Sequence, residues 1–296
     1  MRAVITASTV LFAGIGSGLS IYDDPSMATE SVFSGKWALV TGASAGIGVA
    51  LARELARHGA NLVLTARRQE RLDQLSAELT RAGVAIRTLV ADLNDPAAPQ
   101  QIFDATVGSG MTIDILINNA GLGMFGAFHT NPLEQELSQI RVNCEAMVRL
   151  ARLFVPPMVE RRRGWVLVTA STASFQPVPY ISTYAATKAF DRFFALGLAQ
   201  EVARFGVRVT ALCPGPTESE FFEVARAQVF RKRGVQSAEE VARLGIAGMA
   251  RGKRTVIPHW NGKLTAMLVR FLPVSLITHF VDKAARPSLP SAAQAP

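Results

Sequence analysis

The sequence predicts an α/β fold: one domain built on a doubly wound parallel sheet, with a C-terminal helical extension. Three observations predict it. Short apolar runs recur along the chain without polar alternation, segments with apolar residues at helical spacing separate them, and a glycine-rich turn joins the first run to the first helix. Strands that are apolar on both faces need helices on both sides of the sheet, which is the arrangement of parallel α/β proteins. At 296 residues, 49% hydrophobic and 18% charged, the chain is long enough for one large core and too apolar for disorder.

The elements follow in order. Trp37-Ala38-Leu39-Val40-Thr41 is the first strand, and residues 46–58 form a helix that Gly59 ends. Residues 61–65 are a second strand, and residues 69–81 a helix with Leu72, Leu75 and Leu79 at helical spacing. Strand three spans 84–90 and strand four 113–117; residues 165–169 and 207–212 are two more strands, with helices between. Residues 264–278 are apolar but interrupted by Arg270 and Pro273, which makes them a poor membrane span and a good pair of short amphipathic helices. Such helices would cover a pocket, pack in a dimer or lie on a membrane. The division expected is a tail or anchor over 1–32, the sheet domain over 33–258, the amphipathic extension over 259–286 and a flexible, Pro/Ala/Ser-rich tail over 287–296. Residues 4–21 carry no charge and follow Arg2, the outline of a signal or anchor. They are diluted by Gly, Ser and Thr, and Met27 precedes every motif, so a simple tail or a later start competes with that reading.

Net charge is +8, but the basic residues are scattered or in short runs such as Arg161-Arg162-Arg163, with no stripe interleaved with aromatics. That argues against nucleic acid and for attraction to phosphates or a membrane surface. Two distant cysteines, Cys144 and Cys213, imply no disulfide framework, and the isolated histidines His58, His129, His259 and His279 read as surface or packing residues, so no metal is expected. The compartment inferred is reducing, hence cytoplasmic, with membrane association left open by the terminal segments.

Three motifs carry chemistry. Thr41-Gly42-Ala43-Ser44-Ala45-Gly46-Ile47-Gly48 lies between the first strand and its helix. Glycines there let the backbone approach a pyrophosphate, and the helix N–H groups face it. The second strand ends in Ala66-Arg67-Arg68, with no carboxylate before Glu70. An acidic residue would hold the ribose hydroxyls of NAD, whereas arginine pairs with the 2′-phosphate of NADP. Tyr184 and Lys188 are four apart on a helix, so they share a face, and an ammonium beside a phenol favours the phenolate. Ser171 follows the fifth strand, Asn118-Asn119-Ala120-Gly121 the fourth and Pro214-Gly215-Pro216-Thr217 the sixth. Ligands in open α/β sheets sit at those carboxyl ends.

Together with Asp92 and Asn143, these residues resemble the short-chain dehydrogenase/reductase family in order and spacing, over most of the chain. The resemblance implies a Rossmann-type sheet with one added strand, here 254–258, and carbonyl–alcohol interconversion with NADP(H). It implies a catalytic set of Asn143, Ser171, Tyr184 and Lys188: Tyr184 exchanges the proton, Lys188 holds the nicotinamide ribose and tunes Tyr184, Ser171 holds the substrate oxygen and Asn143 supports a water. It implies a cofactor set of Gly42, Ser44, Ala45, Gly46, Ile47, Gly48, Arg67, Arg68, Asp92, Leu93, Asn119, Ala120, Gly121, Tyr184, Lys188, Pro214, Gly215 and Thr217. Ala45 departs from the NADP-type pattern, where a basic residue is common, so the 2′-phosphate would rest mainly on Arg67, with Arg68 beside it. Residues 218–234 would form a loop over the substrate, and Phe125, Phe128, Phe175, Phe221 and Phe222 are candidate pocket residues. The expected partners are a small carbonyl or alcohol substrate, a second copy of the chain in a homo-oligomer, and a membrane surface in peripheral contact. The alternative is an NADP(H)-binding redox sensor or scaffold of weak activity, a role that usually dispenses with the Tyr/Lys pair present here.

Overall fold

Seven strands form one sheet in the order β3-β2-β1-β4-β5-β6-β7. They are β1 (Trp37–Thr41), β2 (Asn61–Ala66), β3 (Ile86–Val90), β4 (Ile113–Asn118), β5 (Gly164–Thr169), β6 (Val207–Leu212) and β7 (Thr255–Val256). Every neighbouring pair is parallel. The computed structural model describes residues 31–221, 225, 227 and 235–286. The expected tail or anchor up to residue 30, the tail from 287 and most of the loop over 218–234 lie outside the described residues.

Helices cover both faces, as the continuous apolar strands require. On one face α1 (Gly46–Arg57), α2 (Gln69–Thr80) and α7 (Ala238–Ala250) pack against alternate side chains of the sheet, with Leu51, Leu55, Leu72, Val241 and Ile246 fully buried. On the other lie α3 (Ala98–Ala105), α5 (Met147–Glu160) and α6 (Ser182–Val202), centred on Ile102, Leu150 and Phe154. Burial of each such side chain contributes about 1.5–3 kcal/mol. The helix α4 (Leu133–Ile140) runs into α5 through a π-helical turn, Arg141–Ala146. The extension forms α8 (Trp260–Leu268) and α9 (Val274–Ala285), with Pro273 as the N-cap of α9.

Strands β2, β4 and β5 each run one residue beyond the sequence expectation, and two strands differ more. Strand β3 begins at Ile86 rather than 84, because Val84 turns into the core beside α2 before the ladder starts. The added strand β7 is only Thr255–Val256, held by pairing Ala211 with Thr255 and Leu212 with Val256. Pro258, lacking an N–H, cannot extend the ladder.

The chain order reverses between β1 and β4, so the loops leaving their carboxyl ends diverge and open a crevice. Thr41 ties the two loops together: its hydroxyl donates to the Ile117 carbonyl at 3.1 Å and accepts from the N–H groups of Asn119 and Ala120 at 2.9 and 3.0 Å.

Candidate active site

The glycine turn after β1 is built by two glycines with left-handed backbone, Gly42 at φ +69° and Gly46 at φ +52°. Gly48 is needed for space: a Cβ there would lie 2.1 Å from the Gly42 carbonyl oxygen. The turn therefore folds back on the start of α1, whose first turn has no acidic residue to compete for its N–H groups. A turn of this shape has the geometry to receive a phosphate-bearing ligand.

Tyr184 and Lys188 stand one turn apart on α6, with the Lys188 ammonium 6.0 Å from the centre of the tyrosine ring. Lys188 is 4% exposed; its Nζ donates to the Thr169 carbonyl at 2.8 Å and to Asp191 Oδ2 at 2.9 Å. Ser171, two residues past the end of β5, accepts from the Ala173 N–H at 3.1 Å and lies beside Tyr184, whose phenolate it favours. Burial pushes the Tyr184 phenol above its ordinary value, outweighing the downward pull of Lys188 and Ser171. The effect expected of the lysine from the sequence is present but is not the larger one, and Tyr184 remains a phenol at neutral pH. Burial alone would push Lys188 down, but Asp191 and Tyr184 more than offset it and hold the ammonium charged. Burial raises the Asp191 carboxyl against the pull of Lys188.

Asn143, in the π-helical turn, is 1% exposed and has both ends of its amide engaged. Its Oδ1 accepts from the Leu122 N–H at 2.8 Å, while Nδ2 donates to the Leu122 carbonyl at 2.9 Å and to Thr187 Oγ1 at 2.8 Å. It therefore clamps the loop after β4 against α6, beside Tyr184 and Lys188.

One cavity of about 650 Å³ receives these groups. Of the residues named from the sequence, Gly42, Ser44, Ala45, Gly46, Ile47, Gly48, Arg67, Arg68, Asp92, Leu93, Asn119, Ala120, Gly121, Ser171, Tyr184, Lys188, Pro214, Gly215 and Thr217 all line it. Asn143 does not, and stands behind the wall it braces. The aromatic candidates separate. Phe221 lines the cavity with its ring 5.1 Å from that of Tyr184, whereas Phe125 is buried in a small cluster with Ala225, Ala227 and Ala285. Phe175 packs on the second core, Phe128 is 65% exposed, and Phe222 lies outside the described residues. Phenylalanines carry no periodic sign of which wall they join, so only the tertiary structure sorts them.

Several residues were not anticipated. Asp191 was visible as an acid three positions after Lys188 on one helix face. Arg68 donates to Ser44 and pairs with Glu220 at 2.9 Å, and Arg71 pairs with the same carboxylate. Arg67 has no ion-pair partner among the described residues. His259 is not simply a surface residue: it lines the cavity rim and caps α8 by accepting from the Asn261 N–H at 3.2 Å. The two thiols are poor nucleophiles, since burial pushes both Cys144 and Cys213 up to about 12. Among the described residues no group of His, Cys, Asp and Glu is placed to hold a metal, and no helix is long and apolar enough to cross a membrane.

Comparison with known proteins follows the same geometry. Residues 36–229 match the family model described as short chain dehydrogenase. A very-long-chain 3-oxoacyl-CoA reductase of Pyrenophora tritici-repentis is 35% identical over 248 residues, 80% of this chain and 72% of the relative. A short-chain dehydrogenase from Sphingobium yanoikuyae, solved in complex with NADPH, superposes with a TM-score of 0.73 at 33% identity, covering 80% of this chain and 96% of that one. A short-chain dehydrogenase/reductase from Burkholderia phymatum, solved with NAD, shares the fold with a TM-score of 0.76 at 24% identity, covering 83% and 96%.

Proposed function

Because the chain belongs to the short chain dehydrogenase family of oxidoreductases, we propose that it reduces an apolar ketone to an alcohol with NADPH, using Tyr184 as the proton donor. One observation carries the reading: the glycine cradle, Arg67 and the Ser171–Tyr184–Lys188 cluster all open into one cavity. The residues fit a dinucleotide, because the cradle has no room for a Cβ at Gly48 and the strand-two end offers a guanidinium and no carboxylate. When bound, NADPH supplies the hydride that reaches the carbonyl carbon. Ser171 and Tyr184 hold the carbonyl oxygen, and Tyr184 gives it the proton as the alcohol forms. Lys188, fixed by the Thr169 carbonyl and Asp191, keeps positive charge beside the phenol. Asn143 holds the Leu122 backbone that walls the site. Met124, Val178, Ile181 and Phe221 give the cavity an apolar stretch of wall, which suits an apolar substituent on the ketone. The ketone reductase named among the relatives supports the reaction class. Purified protein, NADPH and a panel of ketones test it. Consumption of NADPH supports a reductase; tight binding without consumption would leave the sensor reading standing.

The pH dependence has a definite sign. Reduction needs Tyr184 protonated, and burial holds its pKa above the ordinary phenol value. The kcat/KM for reduction should stay flat through neutral pH and fall only above about pH 10, while the reverse oxidation, which needs the phenolate, should rise with pH. A reduction rate that already falls between about pH 7 and 9 would mean that the Lys188 attraction, not burial, dominates.

Cofactor choice rests on Arg67. A guanidinium that pairs with the 2′-phosphate contributes about 1.5–3 kcal/mol, so Arg67→Ala should weaken NADPH by roughly ten- to a hundredfold and leave NADH little changed. Arg68 and Arg71 share Glu220 and form the nearby reserve of charge. The ratio of kcat/KM values with the two cofactors measures it; wild-type preference for NADH would overturn the assignment.

A further inference from the structure

Sixteen large hydrophobic side chains are exposed among the described residues, and nine of them fall between Trp260 and Phe280. Such a concentration is a patch rather than the usual scatter. On α8, Trp260, Leu264, Met267 and Leu268 are exposed, and Phe271 just beyond the helix is 81% exposed. At 3.6 residues per turn the four helical positions span a stripe of roughly 100°. Lys263 falls along one edge of that stripe, and Arg270 lies exposed in the turn just beyond the helix. The opposite side of α8 faces the protein, with Ala266 buried and Gly262 and Thr265 lining the cavity. On α9, Leu276 and the 63% exposed Phe280 point outward beside Lys283, while Ile277 and Ala285 are buried and Val281 lines the cavity.

The charges select the occupant. From residue 260 to 286 there are four cations, Lys263, Arg270, Lys283 and Arg286, and one carboxylate. That carboxylate, Asp282, is already engaged by Tyr180 and by Arg286 at 2.5 Å. An aromatic and aliphatic stripe edged by long basic side chains, with a tryptophan at its end, matches the boundary between lipid headgroups and acyl chains. Neither helix is long enough to span a bilayer, so both would lie in its surface. We infer that α8 and α9 dock the protein on an anionic lipid surface through Trp260, Leu264, Phe271 and Phe280. Because His259, Thr265 and Val281 of the same segment line the cavity, its rim then sits at the lipid surface. An apolar-tailed ketone would enter from the bilayer, a consequence that rests on the function proposed above.

The docking itself is tested without turnover. Full-length protein is floated with vesicles of phosphatidylglycerol and phosphatidylcholine in equal parts, and with phosphatidylcholine alone. The expected result is binding to the anionic vesicles, weakened by salt, with Trp260 emission moving to the blue and no such shift in Trp260→Phe. A Phe271→Asp/Phe280→Asp variant should bind at least about a hundredfold more weakly, while its reduction of a small water-soluble ketone is unchanged. Both positions are exposed, and Lys263→Glu/Arg270→Glu gives a second, charge-only variant that should also release the anionic vesicles. Deleting residues 1–26 should leave binding in place. Three outcomes overturn the inference: no vesicle binding by the wild type, binding lost only on deletion of 1–26, or aspartates that dissociate a dimer and leave lipid binding untouched. A protein that binds vesicles but never consumes NADPH keeps the docking and rejects the function.

Discussion

Tyr184→Phe is expected to lower turnover by about 10²- to 10⁴-fold, the usual contribution of a positioned acid, with NADPH binding nearly unchanged. The substitution removes one oxygen and leaves the ring against Phe221. It leaves the Lys188–Thr169 and Lys188–Asp191 contacts untouched, since neither involves the phenol. The developing alkoxide then has only Ser171 for a partner, and no proton to take. Steady-state NADPH consumption and a fluorescence titration of NADPH separate the two effects. Turnover near the wild-type level would remove Tyr184 from the chemistry; loss of NADPH affinity on the same scale as the rate would make its role one of binding.

The second large effect is on stability. Asp191 and Lys188 form an ion pair whose side chains are 2% and 5% exposed. Asp191→Ala would leave the buried Lys188 ammonium without its carboxylate, and breaking such a pair costs about 3–5 kcal/mol. Urea unfolding should show that loss as a lower midpoint with an unchanged slope. Removing both charges is a different experiment. Lys188→Met/Asp191→Leu should recover most of the stability, because an apolar pair needs no compensation, while activity stays lost with the lysine. A single variant within about 1 kcal/mol of wild type would show that Lys188 sheds its proton or finds another partner in the Thr169 region.

The sequence is most legible where burial is uniform. The bounds of β1 and β6 agree with expectation, since these inner strands are buried along almost their whole length, with only Trp37 half-buried and Arg208 turned outward. The outer strands blur: β3 has a mixed pattern of exposed and half-buried residues, and β7 is two residues long. The residues at the strand ends were legible for a related reason. Glycines and short polar residues there answer to backbone geometry, and sequence position fixes which strand end they occupy. What escaped was set by contacts distant in sequence. Glu220 meets Arg68 and Arg71 across about 150 residues of chain, and no local pattern announces that. The amide of Asn143 turns to the Leu122 backbone, 21 positions away, which no spacing within its own helix could indicate.

The π-helical turn at Arg141–Ala146 bears on how this long helix serves two masters. From Leu133 to Glu160 the chain is helical throughout, yet the turn admits one residue more than an α-helix would. The stretch on either side is thus out of phase by about 100°. Downstream, Leu150, Phe154 and Met158 keep their places in the core; within the turn, Asn143 keeps its amide on the loop after β4. An uninterrupted helix would tie those two orientations rigidly together, so that any rotation improving one would spoil the other. The extra residue acts as a gear between them, letting the wall of the cleft be indexed separately from the seat of the helix on the sheet.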